Sequence, residues 1–111
     1  MADEIITSEI IQEKDWTVLA ITGRLDRMSA PQTGEKAEAA LASCSKFAVD
    51  VKGLSYLSSA GIRILLRLAQ KARAEQKMFA ICGAQGFVKE VIEDSNMHAI
   101  VTVYGERSEL K

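Results

Sequence analysis

The sequence has little of what metal binding, redox chemistry or disulfide formation requires. Its 111 residues include only two cysteines and one histidine. Cys44 and Cys82 lie too far apart for a Cys-x-x-Cys redox pair and fit no zinc-binding spacing, so we expect free thiols. Cys82 ends an apolar stretch typical of a buried strand, where cysteine behaves as a small hydrophobic residue. His98 has no partner at a spacing typical of a metal site or a catalytic triad, so we expect no metal and no cofactor.

Long hydrophobic runs and an excess of basic residues are also missing. No stretch approaches the ~18 apolar residues that cross a bilayer, and no basic segment precedes an apolar core at the N-terminus. Fourteen Lys and Arg against fifteen Asp and Glu give a formal net charge of −1, which does not favour nonspecific nucleic-acid binding. We therefore expect a cytoplasmic protein that neither inserts into a membrane nor binds nucleic acid directly.

The motifs of common enzyme classes are absent from the sequence as well. There is no Gly-x-x-x-x-Gly-Lys phosphate loop, no Gly-x-Gly-x-x-Gly fingerprint, no His-Glu-x-x-His and no Gly-x-Ser-x-Gly nucleophile elbow. Glu90 and Asp94 share one face of a predicted helix, but carboxylates at this spacing usually lie in solvent, and acid–base catalysis needs a shaped pocket. The sequence thus favours a binding protein over an enzyme.

What the sequence does contain is an alternation of short β-rich and amphipathic helical segments. The length and a hydrophobic content of 48% suit one core, and we expect a single domain over residues 1–111. The predicted elements are strands over 5–12, 16–22, 46–51, 78–82 and 100–104, with helices from Ser29 to about Ser43, over 59–75 and over 84–94. The last helix places Phe87, Val88, Val91 and Ile92 on one side. This order predicts an α/β fold with parallel neighbouring strands and helices packed on the sheet.

The most informative segment joins the third predicted strand to the second predicted helix. Apolar residues from Ile62 to Ala72 recur at the spacing of one buried helical face, and Ser58 and Ser59 stand immediately before them. One of these serines therefore caps the helix. Because the first N–H groups of a helix lack an intrahelical partner and the dipole is positive there, a phosphate is accommodated at this position. From spacing alone, the serines either only cap the helix or include a phosphorylation site.

The outer side of the same helix carries a basic stripe, defined by Arg63, Arg67 and Lys71. Like charges four residues apart repel each other by only a few tenths of a kcal/mol. The stripe is either an ordinary solvated helix face or a surface that complements an acidic partner and accelerates docking.

Two stretches of the sequence resemble a known family. Residues 50–65, DVKGLSYLSSAGIRIL, resemble the central signature of STAS domains, which include the bacterial anti-sigma-factor antagonists, and residues 23–26, GRLD, are similar to the Gly-x-Leu-Asp element of that family. The order of predicted elements fits over essentially the whole chain. The resemblance implies a STAS-like single domain, with a mixed sheet of about four to five strands and helices mainly on one face.

The resemblance also implies partner switching. The unphosphorylated protein binds a serine-kinase anti-sigma factor and so frees a sigma factor, the phosphorylated protein lets go, and a phosphatase resets it. Family members commonly show Asp-Ser-Ser-Gly or Asp-Ser-Ala-Gly here, with the modified serine just before the helix. In this chain Ser58 replaces the aspartate, Ser59 matches the first serine and Ala60 replaces the second. We therefore expect phosphorylation at Ser59, with Ser58 as the second candidate.

We expect the protein itself to be a monomer or a weak homodimer. The same resemblance suggests which of its residues contact the partner. Met28, in the loop that the family places near the second helix, either adapts to a partner pocket or packs under its own loop. The expected contact residues are Asp26, Met28, Ser29, Ser58, Ser59, Ala60, Gly61, Arg63 and Arg67.

Two other functions remain open from the sequence. A nonphosphorylated STAS scaffold in a transport or signalling assembly is favoured by the replacement of the family's aspartate by Ser58. A small-ligand or nucleotide sensor has no motif in its support.

Overall fold

A five-stranded sheet lies at the centre of the computed structural model, which describes residues 6–111. The strands are β1 (Thr7–Glu13), β2 (Trp16–Leu25), β3 (Lys46–Leu57), β4 (Met78–Cys82) and β5 (Thr102–Tyr104). The helices are α1 (Ala30–Ala42), α2 (Ser59–Ala74) and α3 (Gly86–Asp94), with short 3-10 turns at Met97–Ala99 and Arg107–Glu109.

The strands lie side by side in the order of the sequence. β1 and β2 form an antiparallel hairpin, and the pairs β2–β3, β3–β4 and β4–β5 are all parallel. Parallel neighbours need a crossover connection, which is nearly always right-handed, so successive crossovers in one direction place their helices on the same face. The predicted α/β fold with a mixed sheet of four to five strands is confirmed.

The main core lies between the sheet and the three helices. Leu41 of α1, Leu68 of α2 and Ile92 of α3 belong to one buried cluster with Leu19 and Phe47 of the sheet. The prediction that helices cover mainly one face is therefore confirmed. Within residues 6–111, no helix combines the length and the apolar character that a membrane crossing requires.

The opposite face of the sheet has no α-helix among the described residues and is covered by residues 107–111. Leu110 is completely buried there, and the indole Nε1 of Trp16 donates a hydrogen bond to the Lys111 carbonyl oxygen at 3.0 Å. Arg107 adds an ion pair with the buried carboxylate of Asp50 at 3.4 Å. The cluster on this face consists of Trp16, Val18, Ala48, Ala80, Cys82 and Leu110.

The third strand is longer than the sequence pattern predicts. β3 continues to Leu57, so residues 52–57 are a strand and the predicted end at residue 51 is wrong. Polar residues interrupt the apolar run after residue 51, yet β3 still pairs with β2 through two shifts in register. Gly53 permits this close pairing, because a Cβ atom at this position would lie 2.6 Å from Thr22 Oγ1.

Smaller differences affect the other elements. β4 has its predicted bounds, whereas α3 begins at Gly86 and β5 at Thr102, each two residues later than predicted. The first predicted strand included Ile5, which lies outside the described residues. Phe87, assigned by its spacing to the apolar side of α3, is exposed. This last difference matters for the candidate site.

Gly61 allows α2 to begin very close to the sheet. A Cβ atom at Gly61 would lie 2.6 Å from Leu57 Cδ1 and 3.0 Å from the backbone carbonyl oxygen of Leu25. The residue is buried and has a packing role, and the direct partner contact expected from the sequence stays a prediction.

We predict that Gly61→Ala lowers the free energy of unfolding, measured by urea denaturation. Overpacking costs about 1–3 kcal/mol, which outweighs the helix propensity gained, at most about 1 kcal/mol. Gly34→Ala, within α1, is the matched control. A Cβ atom there meets only the flexible end of Ile64, with Cδ1 at 2.9 Å, so this variant should be as stable as the wild type or slightly more. Equal stability of the Gly61→Ala variant would contradict the packing role.

The two thiols should differ in reactivity. Both cysteines are free, but Cys82 is buried and Cys44 is only half-buried. Burial, and next the nearby Asp50 carboxylate, raise the pKa of Cys82 from 9.0 to about 12. We predict that iodoacetamide alkylates one thiol of the native protein at pH 8, read by intact mass, and that Cys44→Ser removes this adduct. Because folding raises the pKa of Cys82, its contribution to stability is present below about pH 9 and is lost as the pH rises toward 12. Rapid alkylation of Cys82 in the native protein would contradict the predicted difference in reactivity, because it would show that the sheet face that carries Cys82 opens readily.

Candidate functional site at the start of the second helix

The candidate site lies where the parallel strands end. β2 and β3 finish at Leu25 and Leu57, and α2 starts at Ser59. The backbone N–H of Ser58 donates to the carbonyl oxygen of Leu25 at 3.0 Å. This hydrogen bond fixes the beginning of α2 beside the end of β2, from which the loop of residues 26–29 continues.

Ser58 is the N-cap of α2. Its backbone is extended, with φ −98° and ψ 176°, and its side-chain oxygen accepts a hydrogen bond from the Gly61 N–H at 3.4 Å. Its carbonyl oxygen accepts from the Ile62 N–H at 2.9 Å. The prediction that one of the two serines caps the helix is confirmed, and Ser58 is the one.

Ser59 is the first residue of α2 and is exposed, whereas Ala60 is half-buried. Ser58 already provides the cap, so the fold makes no capping use of the Ser59 hydroxyl. The N–H groups in this first turn have no acceptor within the helix and carry partial positive charge. The Ser59 oxygen is therefore accessible to another protein in surroundings that favour an anion, and phosphorylation at this residue stays a prediction.

The loop beside the helix is held by its own hydrogen bonds. Asp26 Oδ1 accepts from the backbone N–H groups of Met28 and Ser29 at 3.0 and 3.1 Å, and Ser29 Oγ donates to the Arg24 carbonyl oxygen at 2.7 Å. The hydrogen bond from the Ser29 N–H, followed by that from Met28, holds the pKa of Asp26 below its ordinary value despite the opposing effect of burial. Asp26 and Ser29 thus fix the loop, while Met28 is 82% exposed and does not pack under it.

The basic stripe lies on the outer face of α2, starting one turn after Ser59. Arg67 is 3.8 Å from Glu38, and Lys71 is 3.5 Å from Glu75. Ion pairs this exposed contribute little to stability. Arg63 is exposed and has no ion pair with any residue that the structure describes. The end of the stripe nearest Ser59 therefore carries an unneutralised positive charge.

An aromatic stack at the same end of the sheet was missed by the sequence analysis. The Arg24 guanidinium lies 4.1 Å from the centroid of the Tyr56 ring, and the Tyr56 and Phe87 rings are stacked at 5.6 Å with an interplanar angle of 12°. The three residues come from β2, β3 and α3. Arg24 and Tyr56 are partners in the parallel register of β2 and β3. Because that register contains shifts, the pairing of these two residues cannot be predicted from their spacing along the chain.

Comparisons with known proteins bear on the family and the fold of this chain. A family model described as "Mlab, STAS domain" matches residues 10–102. The chain is 36% identical over 59 residues to BtrV of Bordetella bronchiseptica, which is provisionally named an anti-sigma factor antagonist. The aligned part is 53% of this chain and 51% of BtrV, so the match spans about half the length of that curated relative.

Solved structures match the fold over most of the chain. An anti-sigma factor antagonist from Mycobacterium paratuberculosis superposes with a TM-score of 0.82 at 22% identity, covering 90% of this chain and 86% of that one. SpoIIAA of Bacillus, in its unphosphorylated form, superposes with a TM-score of 0.73 at 16% identity, covering 90% of both chains. At these identities the structures show a shared fold. The family model covers well over half of the sequence, and the chain therefore belongs to the STAS domain family.

Proposed function

We propose that this protein is an anti-sigma-factor antagonist that acts as a phosphorylation-controlled binding module and not as an enzyme. Its unphosphorylated form binds a serine-kinase anti-sigma factor, and phosphorylation at Ser59 releases that partner. The supporting observation is the separation of the two serines, because Ser58 caps α2 while the Ser59 hydroxyl is exposed beside it. The names of BtrV and SpoIIAA support the same function.

The mechanism of release is electrostatic. A neutral Ser59 lets the loop and the start of α2 pack closely against a partner. A phosphate adds about −1.5 to −2 charges, which must lose solvent in a closed interface and which repel any carboxylate facing Arg63. A loss of ~3 kcal/mol weakens binding more than a hundredfold. That is enough to exchange partners at comparable concentrations.

The fold of the module tolerates the added charge. A phosphate at the first residue of α2 lies beside the positive end of the helix dipole, and the capping hydrogen bond belongs to Ser58. Neither the cap nor the packing of Gly61 against the sheet involves the Ser59 oxygen. Phosphorylation therefore changes what the surface binds without unfolding the helix.

Ser58 in place of the family's aspartate keeps the cap and removes a charge. Serine and aspartate are equally good N-cap residues, so the local backbone does not need the carboxylate. Without it, the surface around Ser59 is more positive, with Arg27 and Arg63 both exposed nearby. Recognition by the kinase therefore depends on this basic surface and on the exposed hydroxyl.

Phosphorylation can be tested directly. Each serine-kinase anti-sigma factor encoded in the same genome is incubated with the protein and ATP, and the product is measured by intact mass. We expect one added phosphate with one of these kinases, none on the Ser59→Ala variant, and one on Ser58→Ala. A stable complex with an ATPase subunit and no modification would instead favour the scaffold role.

Substitutions at Ser59 should separate binding from release. We predict that Ser59→Asp weakens binding to the kinase about a hundredfold by isothermal calorimetry, because the carboxylate introduces a charge into the contact. Ser59→Ala should bind as tightly as the wild type but stay bound when ATP is added. Thermal unfolding of both variants should match the wild type. Tight binding by Ser59→Asp would contradict the proposed switch.

The same pair of serines should differ in their effect on stability. We predict that Ser58→Ala lowers the free energy of unfolding by ~1 kcal/mol, since it removes the N-cap, and that Ser58→Asp restores it. Ser59→Ala should leave stability unchanged in the same urea titration. A larger loss for Ser59→Ala than for Ser58→Ala would reverse the assignment of cap and switch.

A further inference from the structure

Two large apolar side chains are exposed on segments that connect to the candidate site. Met28 is 82% exposed on the loop after β2, and Phe87 is 52% exposed at the start of α3. Phe87 contacts the Tyr56 ring, which in turn contacts the Arg24 guanidinium. Exposed aromatic and arginine side chains that are held in place are typical of the residues that dominate binding energy in interfaces.

Two members of the stack are restrained by other parts of the fold. Tyr56 belongs to β3, and Arg24 belongs to β2, where its Nε lies 3.6 Å from Asp26 Oδ2. Asp26 is itself fixed by the N–H groups of its loop. An apolar surface fixed in this way loses little conformational entropy when a partner covers it.

The stack and Ser59 are joined closely by the backbone. Tyr56 precedes Ser59 by three residues, and the Ser58 N–H is bound to the carbonyl of Leu25, the residue after Arg24. A partner that covers Ser59 is therefore within reach of the stack. The patch formed by Arg24, Met28, Tyr56 and Phe87 is called the anchor patch below.

Charges around the anchor patch indicate the chemistry of the partner. Arg27 and Arg63 are exposed and have no ion pair with any of residues 6–111. Glu90 is exposed one turn after Phe87 and bounds the patch on the α3 side. The positive charge thus lies toward Ser59, where a carboxylate of the partner would be complementary.

We propose, building on the function proposed above, that the anchor patch binds the serine-kinase anti-sigma factor. The partner lays an apolar side chain against Phe87 and Met28 and places a carboxylate near Arg27 and Arg63. The anchor patch then supplies affinity from apolar contact, while Ser59 supplies control. A second copy of this chain is the competing occupant.

The test measures binding of Phe87→Ala to the kinase that phosphorylates the wild type. We expect about tenfold weaker binding by calorimetry, and a smaller loss for Met28→Ala. Phe87→Tyr keeps the ring and should bind nearly as well as the wild type. Met78→Ala is the matched control, because Met78 is 51% exposed at the opposite end of β4 and its loss should leave binding unchanged.

The outcomes distinguish a failure of the anchor-patch proposal from a failure of the proposed switch. If Phe87→Ala and Met28→Ala both bind the kinase as the wild type does, while Ser59→Asp binds it weakly, the anchor patch is overturned and the switch is left intact. Tight binding by Ser59→Asp would overturn the switch, and failure of every kinase to bind the wild type would overturn both proposals. A homodimer that Phe87→Ala dissociates in sedimentation, with kinase binding unchanged, would assign the patch to a second copy. Thermal unfolding of each variant checks that it is folded, and Met28→Ala retains the test if Phe87→Ala is not.

Discussion

The close approach of α2 to the end of β2 is the constraint on which the candidate site depends. One hydrogen bond, from the Ser58 N–H to the Leu25 carbonyl oxygen, fixes the backbone where the helix begins. Gly61 makes this possible because any side chain there would overlap Leu25 and Leu57. Once the backbone is fixed, the side chain of Ser58 is directed toward the helix and the side chain of Ser59 is directed outward. The exposure of Ser59 is therefore a consequence of packing beneath it, and the loop after β2 is brought alongside by the same contact.

This arrangement explains how a binding module can be switched without a change of fold. A serine that served both as cap and as modified residue would couple its phosphorylation to the stability of the helix. In the proposed switch the two tasks fall on neighbouring residues, and of the two side chains only that of Ser58 takes part in the hydrogen bonds of the first turn. The positive end of the helix then accommodates a negative charge that an interface does not. The same charge is tolerated by the free protein and unfavourable in the complex.

Some of these features could be predicted from the sequence because they depend on local periodicity. The spacing of apolar residues in α2 and the two serines before it predicted the helix, its first residue and its capping residues. The bounds of β4 were predicted from a short apolar run. The length of β3 was missed because Lys52 and other polar residues interrupt the pattern, while the pairing that keeps the strand extended comes from its neighbour β2. Phe87 was placed on the apolar side of α3 because a helix of 9 residues does not distinguish the centre of an apolar face from its edge. The contact of Arg24 with Tyr56 depends on a bulged register between distant segments, which no local pattern encodes.

The proposed separation of affinity, on the anchor patch, from control, at Ser59, has a physical reason. Apolar contact on the anchor patch does not depend on the charge of Ser59, so its contribution is the same in both forms of the protein. The phosphate acts only at the edge of the contact, where Arg63 and the start of α2 make the surface positive in the unmodified form. If the whole affinity came from that charged edge, binding would vary strongly with ionic strength, because exposed charges are screened within about 10 Å at 0.1 M salt. In the proposed arrangement, an apolar anchor beside the switch would keep the unmodified complex stable in salt and would still let one phosphate dissociate it.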